Sequence, residues 1–193
     1  MTPTTPRSRC GICRLHDDAA NVAAYEIART DLWLLRHHPD PAPLAGWLLL
    51  DARRHLSGPL AFSDREALSW GQAVRHASQL VQQLTGCDRV YAIAFGEGAP
   101  HLHLHLIPRQ GSDPHTAAWS VADLYRALAE GKRQAADPQL VRDLVARGRE
   151  RVERHQLETS AETMKGTVEL SDKEMAEILD LTGERKKGPP SVA

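Results

Sequence analysis

Nowhere in the 193 residues do eighteen or more apolar residues run together, so no helical bilayer span is expected. An excess of one charge sign is lacking too. The 24 Lys and Arg stand against 25 Asp and Glu, a net charge of −1. That balance gives no overall pull toward nucleic acid or an anionic membrane. Cysteine is scarce, with three in the chain. The polar, proline-rich stretch from Met1 to Arg9 does not read as a signal peptide. A reducing, cytoplasmic setting is therefore expected, not a disulfide framework. No internal repeat is visible. The length suits one domain with appendages, enough to bury a core without staples.

What the chain does have is histidine concentrated in one place. His101-Leu102-His103-Leu104-His105-Leu106-Ile107-Pro108-Arg109 alternates with a period of two, which predicts a β-strand. Residues two apart share a face. Leu102, Leu104 and Leu106 should therefore enter a core. His101, His103 and His105 should project from the other side, roughly 7 Å apart. Such a row covers little apolar surface, but its imidazoles can attack, bind metal or carry protons near neutral pH. The bland alternatives are a solvent face rich in His or an accidental metal patch. The flanks favour function: Phe95-Gly96-Glu97-Gly98-Ala99-Pro100 is a Gly-rich approach that lets backbone come close to a ligand. Pro108 is expected to end the strand.

Residues 1–9 are expected to be disordered. Cys10-Gly11-Ile12-Cys13 follows. Two thiolates at this spacing can converge on zinc or form a redox pair. The polar stretch after them, with Asp17, Asp18 and Asn21, favours metal, and His16 is a rival ligand by proximity. Val22–Arg29 and Leu32–Arg36 read as two short strands joined at Thr30-Asp31. Gly46–Asp51 reads as a central strand leading to Arg53-Arg54-His55, where His55 alone would be an ordinary loop residue. Ser63-Asp64-Arg65-Glu66 is a capping box. Ala67, Gly71, Val74, Ala77, Val81 and Leu84 mark the packed face of the helix it opens, and Gly86 stops it. His76 reads as a surface residue and Cys87 as a small buried hydrophobe. Asp88–Phe95 is a fourth strand.

Beyond a polar loop over 110–117, Val121–Glu130 predicts a short helix. Asp137-Pro138 opens another, with Leu140, Val141, Leu144, Val145, Gly148 and Val152 on one side. Arg142, Arg147, Arg149, Arg151 and Arg154 ride on it and read as a solvated face rather than a phosphate site. Residues 156–170 read as a linker, Ser171-Asp172-Lys173-Glu174 as a second capping box opening a helix through Leu181, and the end from Lys186 as disordered.

The His row, the His after a strand, and the Cys-x-x-Cys pair together resemble the histidine-triad (HIT) family of nucleotide hydrolases and transferases. The family motif, His-x-His-x-His and two apolar residues, is met in full by His101 to Ile107. The resemblance covers residues 10 to about 109. It implies an α+β fold, a HIT-like antiparallel sheet of about five strands with a long packed helix, here followed by a C-terminal helical extension. Together with the reading of the residues on either side, the layout expected is a disordered 1–9, a catalytic domain over 10–117, a helical extension over 118–155, and a linker, short helix and tail over 156–193. By the resemblance His103 would attack the α-phosphorus of a nucleotide, forming a covalent nucleotidyl-histidine, and His105 would hold the phosphate oxygens. Zinc-bearing members imply Cys10, Cys13, His55 and His101 as ligands of a structural zinc. A purine nucleotide substrate and a homodimer are implied as well.

The chain departs from the family before the triad. Glu97 stands in place of the usual amide and Gly98 in place of the hydroxyl; both remain candidate substrate contacts, and Glu97 is a candidate acid for the leaving group. The acidic ribose contact has no clear counterpart, with Asp40 nearby. The alternative to an enzyme is a zinc-stabilised nucleotide-binding or protein-interaction domain that has lost turnover. A third reading, the His row as an open zinc site for hydrolysis, leaves Cys10 and Cys13 without a role.

Overall fold

The computed structural model describes residues 7–96 and 98–165, with side chains for all but Ser8 and residues 157–165. Glu97, residues 1–6 and residues 166–193 lie outside the described residues, and with them the capping box at Ser171 and the tail. The chain divides into two units, Met1–Arg154 and His155–Ala193.

The first unit is α+β. Among the described residues five strands form one antiparallel sheet: β1 (Glu26–Arg29), β2 (Trp33–His37), β3 (Leu48–Ala52), β4 (Arg89–Ala94) and β5 (His103–Arg109). Their order is β1-β2-β3-β5-β4. Strand β5 therefore lies between β3 and β4, with Leu104 opposite Leu50 and Ala94, and His103 opposite Asp51. The leucines of the His stretch do enter one core, where Leu102, Leu104 and Leu106 pack with Leu48 and Leu50.

Helices cover this apolar face. Helix α3 (Asp64–Thr85) opens on the full capping box of Ser63 and Glu66 and closes at Gly86, whose φ of 65° is left-handed. Its packed stripe differs in part from the expected one. Ala77, Leu80, Val81 and Leu84 are buried, whereas Ala67 and Gly71 face solvent. At the N-terminal end Trp70, packed on Trp33 at 5.0 Å between centroids, takes the place of those small residues. Full burial of Leu80, Val81 and Leu84 contributes about 5–9 kcal/mol of gross transfer free energy.

Helix α6 (Pro138–Lys165) adds Leu144 and Val145 to the same core. Leu140, expected on that side, is 46 % exposed. Residues 156–165, read above as linker, continue this helix; their run holds neither Pro nor Gly to break it. Two of its arginines have defined work. Arg149 donates to the carbonyls of Val22, Ala23 and Glu26, and Arg147 reaches the carbonyl of Leu84. They satisfy carbonyls at helix ends, where a cation is favourable.

Other expectations are corrected. Arg7–Arg9 form a 3-10 turn. Cys10 caps helix α1 (Gly11–Asp17). Val22 to Tyr25 belong to helix α2 (Ala19–Tyr25), not to a strand. The Asp18 side chain accepts from the backbone N–H groups of Ala20 and Asn21, and four alanines follow in this helix. Cap and propensity together outweigh the weak alternation. The single helix expected over 121–130 is two, α4 (Ala118–Val121) and α5 (Asp123–Ala129). Pro108 lies inside β5, opposite Val90. Pairing with β3 has ended at Leu106, so a residue without an N–H is tolerated there. Among the described residues no helix is long and apolar enough to cross a membrane.

Candidate functional site

The opposite face of the sheet carries the polar residues. Strand β5 begins only at His103; His101 and Leu102 precede it in a turn in which the His101 N–H donates to the Ala99 carbonyl. That turn carries the His101 ring into a cluster with Cys10, Cys13 and His55, whose donor atoms all lie within 4.8 Å of one another. Cys13 Sγ is 3.3 Å from His101 Nδ1 and 3.5 Å from His55 Nδ1, and the two Nδ1 atoms are 3.3 Å apart. Tetrahedral zinc with nitrogen and sulfur ligands has edges of about 3.3–3.8 Å. The residues fit such an ion in kind and spacing. His101 Nε2 lies 2.7 Å from the Ala52 carbonyl. A carbonyl only accepts, so the ring proton is on Nε2 and Nδ1 offers its lone pair to the cluster. Burial pushes the Cys13 thiol above its usual range, and the neighbouring Cys10 adds to the rise. A bound cation is what would hold both sulfurs as thiolates.

His16, the rival ligand, is held elsewhere. Its Nε2 is 2.8 Å from Asp51 Oδ2, an oxygen that also accepts from Arg36 Nε at 2.6 Å. Asp51 is wholly buried and Arg36 is 2 % exposed. Burial alone would raise the Asp51 carboxyl. The Arg36 charge and the hydrogen bonds from His16 and Arg36 outweigh it and bring the group to about 2. The His16 ring then packs edge-on to the His101 ring at 5.4 Å. Thus a buried charge pair props one wall of the cluster. It was missed in the sequence, although Arg36 and Asp51 interrupt the apolar runs Leu34-Leu35 and Leu48-Leu49-Leu50. A lone charge in such a run is the available signal.

His103 and His105 stand next along β5, with ring centroids 5.1 Å apart. His103 Nδ1 is 2.5 Å from the carbonyl of His101. By the same donor argument the proton is on Nδ1, and Nε2 carries an unshared pair. His103 forms part of the wall of an open cavity of about 670 Å³, between Ile12, Arg14 and Leu15 of α1 and the Gly98-Ala99 loop. That volume lies in the range of small-molecule sites. Gly98 is thus at the cavity, while Glu97 is outside the described residues. Asp40 is exposed, its N–H bonded to the Tyr25 hydroxyl.

His105 is buried in an aromatic shell. The Trp47 indole N–H lies 3.0 Å from its Nδ1. Phe95 is 5.0 Å and Tyr125 6.3 Å away between ring centroids. Burial lowers His105 to about 3, helped by the repulsion a protonated His103 or His38 would add, so the ring is neutral near pH 7. Tyr125 comes from α5. Val121 and Leu124 of the same short helices pack with Trp47 and Ile107. The appended helices therefore reach the candidate site, a contact no sequence pattern announced.

No family profile and no curated protein sequence matches the chain. Solved structures do. A HIT-like protein involved in cell-cycle regulation from Bartonella henselae aligns with 13% identity and a TM-score of 0.54, over 75% of this chain and 98% of that one. A hypothetical histidine triad nucleotide-binding protein from Sulfolobus tokodaii aligns with 16% identity and a TM-score of 0.53, over 75% and 95%. A zinc-bound histidine triad family protein from Mycobacterium smegmatis aligns with 15% identity and a TM-score of 0.51, over 74% and 96%. At such identities the likeness is one of fold. The chain has the histidine-triad fold, with a Cys10-Cys13-His55-His101 cluster of metal-binding geometry beside its His103 and His105 pair.

Proposed function

We propose that the protein is a nucleotide hydrolase or nucleotidyl transferase that works at the α-phosphate through a covalent nucleotidyl-histidine. The observation that carries this reading is the bond from His103 Nδ1–H to the His101 carbonyl. It leaves Nε2 as a lone pair on a ring that lines the cavity. Nε2 attacks phosphorus, a P–N bond forms, and the bond to the leaving group breaks with its electron pair departing on that group. The leaving group takes a proton from solvent. Water or another acceptor then attacks phosphorus and gives its proton to solvent, and the P–N pair returns to Nε2. His105 holds the non-bridging oxygens as charge shifts during each displacement.

The four-residue cluster is proposed to hold a structural zinc, since four protein ligands leave no open position. That ion would tie α1 to the turn before β5 and so fix the wall of the cavity. Purine nucleotides, as phosphoramidates, adenylates or dinucleoside polyphosphates, are the proposed substrates. Two copies are proposed to pair, a reading supported by β4, an edge strand with one hydrogen-bonded neighbour among the described residues; sedimentation tests it.

The enzymatic reading is tested by AMP release from adenosine 5′-phosphoramidate. Wild type should turn over, and His103→Ala should lose at least about a thousandfold in kcat. Equal rates in the two proteins would overturn the assignment of the nucleophile. No turnover by wild type, with nucleotide still bound, would favour a binding domain.

A further inference from the structure

We propose that Trp47 is a positioning residue that sets the tautomer of His105, keeping its proton on Nε2 for donation to a phosphate oxygen. This inference rests on the role of His105 proposed above.

The indole of Trp47 can only donate. At 3.0 Å its N–H occupies His105 Nδ1, so that nitrogen bears the lone pair. The neutral ring then has its one proton on Nε2. His105 Nε2 is buried and has no hydrogen-bond partner among the described residues. A buried N–H without an acceptor is unfavourable and is relieved by a ligand oxygen. Tyr125 does not compete for Nδ1, although its hydroxyl lies 3.4 Å away. His38 Nδ1–H donates to the Pro39 carbonyl at 2.7 Å, so His38 Nε2 accepts. The Tyr125 hydroxyl lies 3.0 Å from that nitrogen and donates there.

Trp47 is itself firmly held. It is completely buried. Val121 and Leu124 of α4 and α5 pack with it. The appended helices thus fix the donor that fixes His105. The two rings of β5 end up in opposite tautomers: His103, bonded through Nδ1–H to a carbonyl, presents a lone pair, and His105, bonded at Nδ1 to an indole, presents a proton. Attack and charge stabilisation need those opposite forms from neighbouring residues.

The test uses full-length protein with 15N-labelled histidine and long-range proton–nitrogen correlation spectra. In wild type, His105 should show a protonated Nε2 and an unprotonated Nδ1; the reverse pattern would overturn the proposal without any variant. Trp47→Phe keeps an aromatic ring and removes the donor. His105 should then show mixed tautomers, and kcat should fall about tenfold with KM little changed, the size of one lost hydrogen bond. A folded variant whose His105 spectrum and kcat match wild type would overturn the role of Trp47. Should Trp47→Phe not fold, the wild-type spectrum decides alone. Failure of the nucleophile reading is separately visible, because the tautomer is read in the absence of substrate.

Discussion

Replacing Asp51 with Asn keeps the shape of a wholly buried side chain and removes its charge. Arg36, 2 % exposed, would be left with an uncompensated guanidinium. Breaking a buried pair in this way costs about 3–5 kcal/mol. For a unit of this size that lowers Tm by on the order of 10 °C. Thermal unfolding followed by circular dichroism measures it. The double variant Arg36→Met, Asp51→Leu removes both charges and should recover part of the loss, since apolar replacement of a buried pair is often neutral, while His16 loses its Asp51 partner. The acid limb supplies a second reading. The folded carboxyl sits at about 2, below its ordinary 3.8. On acidification the unfolded chain therefore binds the proton first. The stability from this group is complete above about pH 4 and is lost as pH falls through about 2. The double variant should lack that part of the acid loss. A loss under about 1 kcal/mol in Asp51→Asn would refute the idea that the pair is a buried, committed charge pair.

Two further outcomes follow from the geometry. Gly46→Ala puts a Cβ at a φ of 82° and into Thr85 Cγ2; it should cost about 2–4 kcal/mol in chemical denaturation, with Thr85→Ser restoring the part due to collision. Cys13→Ser should reduce bound zinc from about one per chain to near none by elemental analysis, and His16 should not substitute, because it lies outside the group of donor atoms that come within 4.8 Å of one another.

Much of the fold was legible because its signals are local. The alternation from His101 to Ile107 placed three leucines in one core, and the Ser63 box and Gly86 bounded the long helix where the sequence puts them. The four cluster residues came through the family resemblance, and the structure brings them together. What was not legible depends on contacts far apart in the chain. His16 meets Asp51 across 35 positions, Trp47 meets His105 across 58, and His38 meets Tyr125 across 87. Each looks ordinary in its own segment; its meaning comes from strand order and from which helix folds over which face. The start of α2 shows the opposite error, a local cap at Asp18 passed over in favour of weak alternation.

In the proposed chemistry His103 Nε2 bonds directly to phosphorus. Intact mass spectrometry after rapid acid-free quench of the full chain with adenosine 5′-phosphoramidate tests it, followed by peptide mapping. One adenylyl group on the peptide holding His103, absent from His103→Ala, is the result expected. Turnover by wild type with the adduct on another residue, or on none at any time in the reaction, would contradict it.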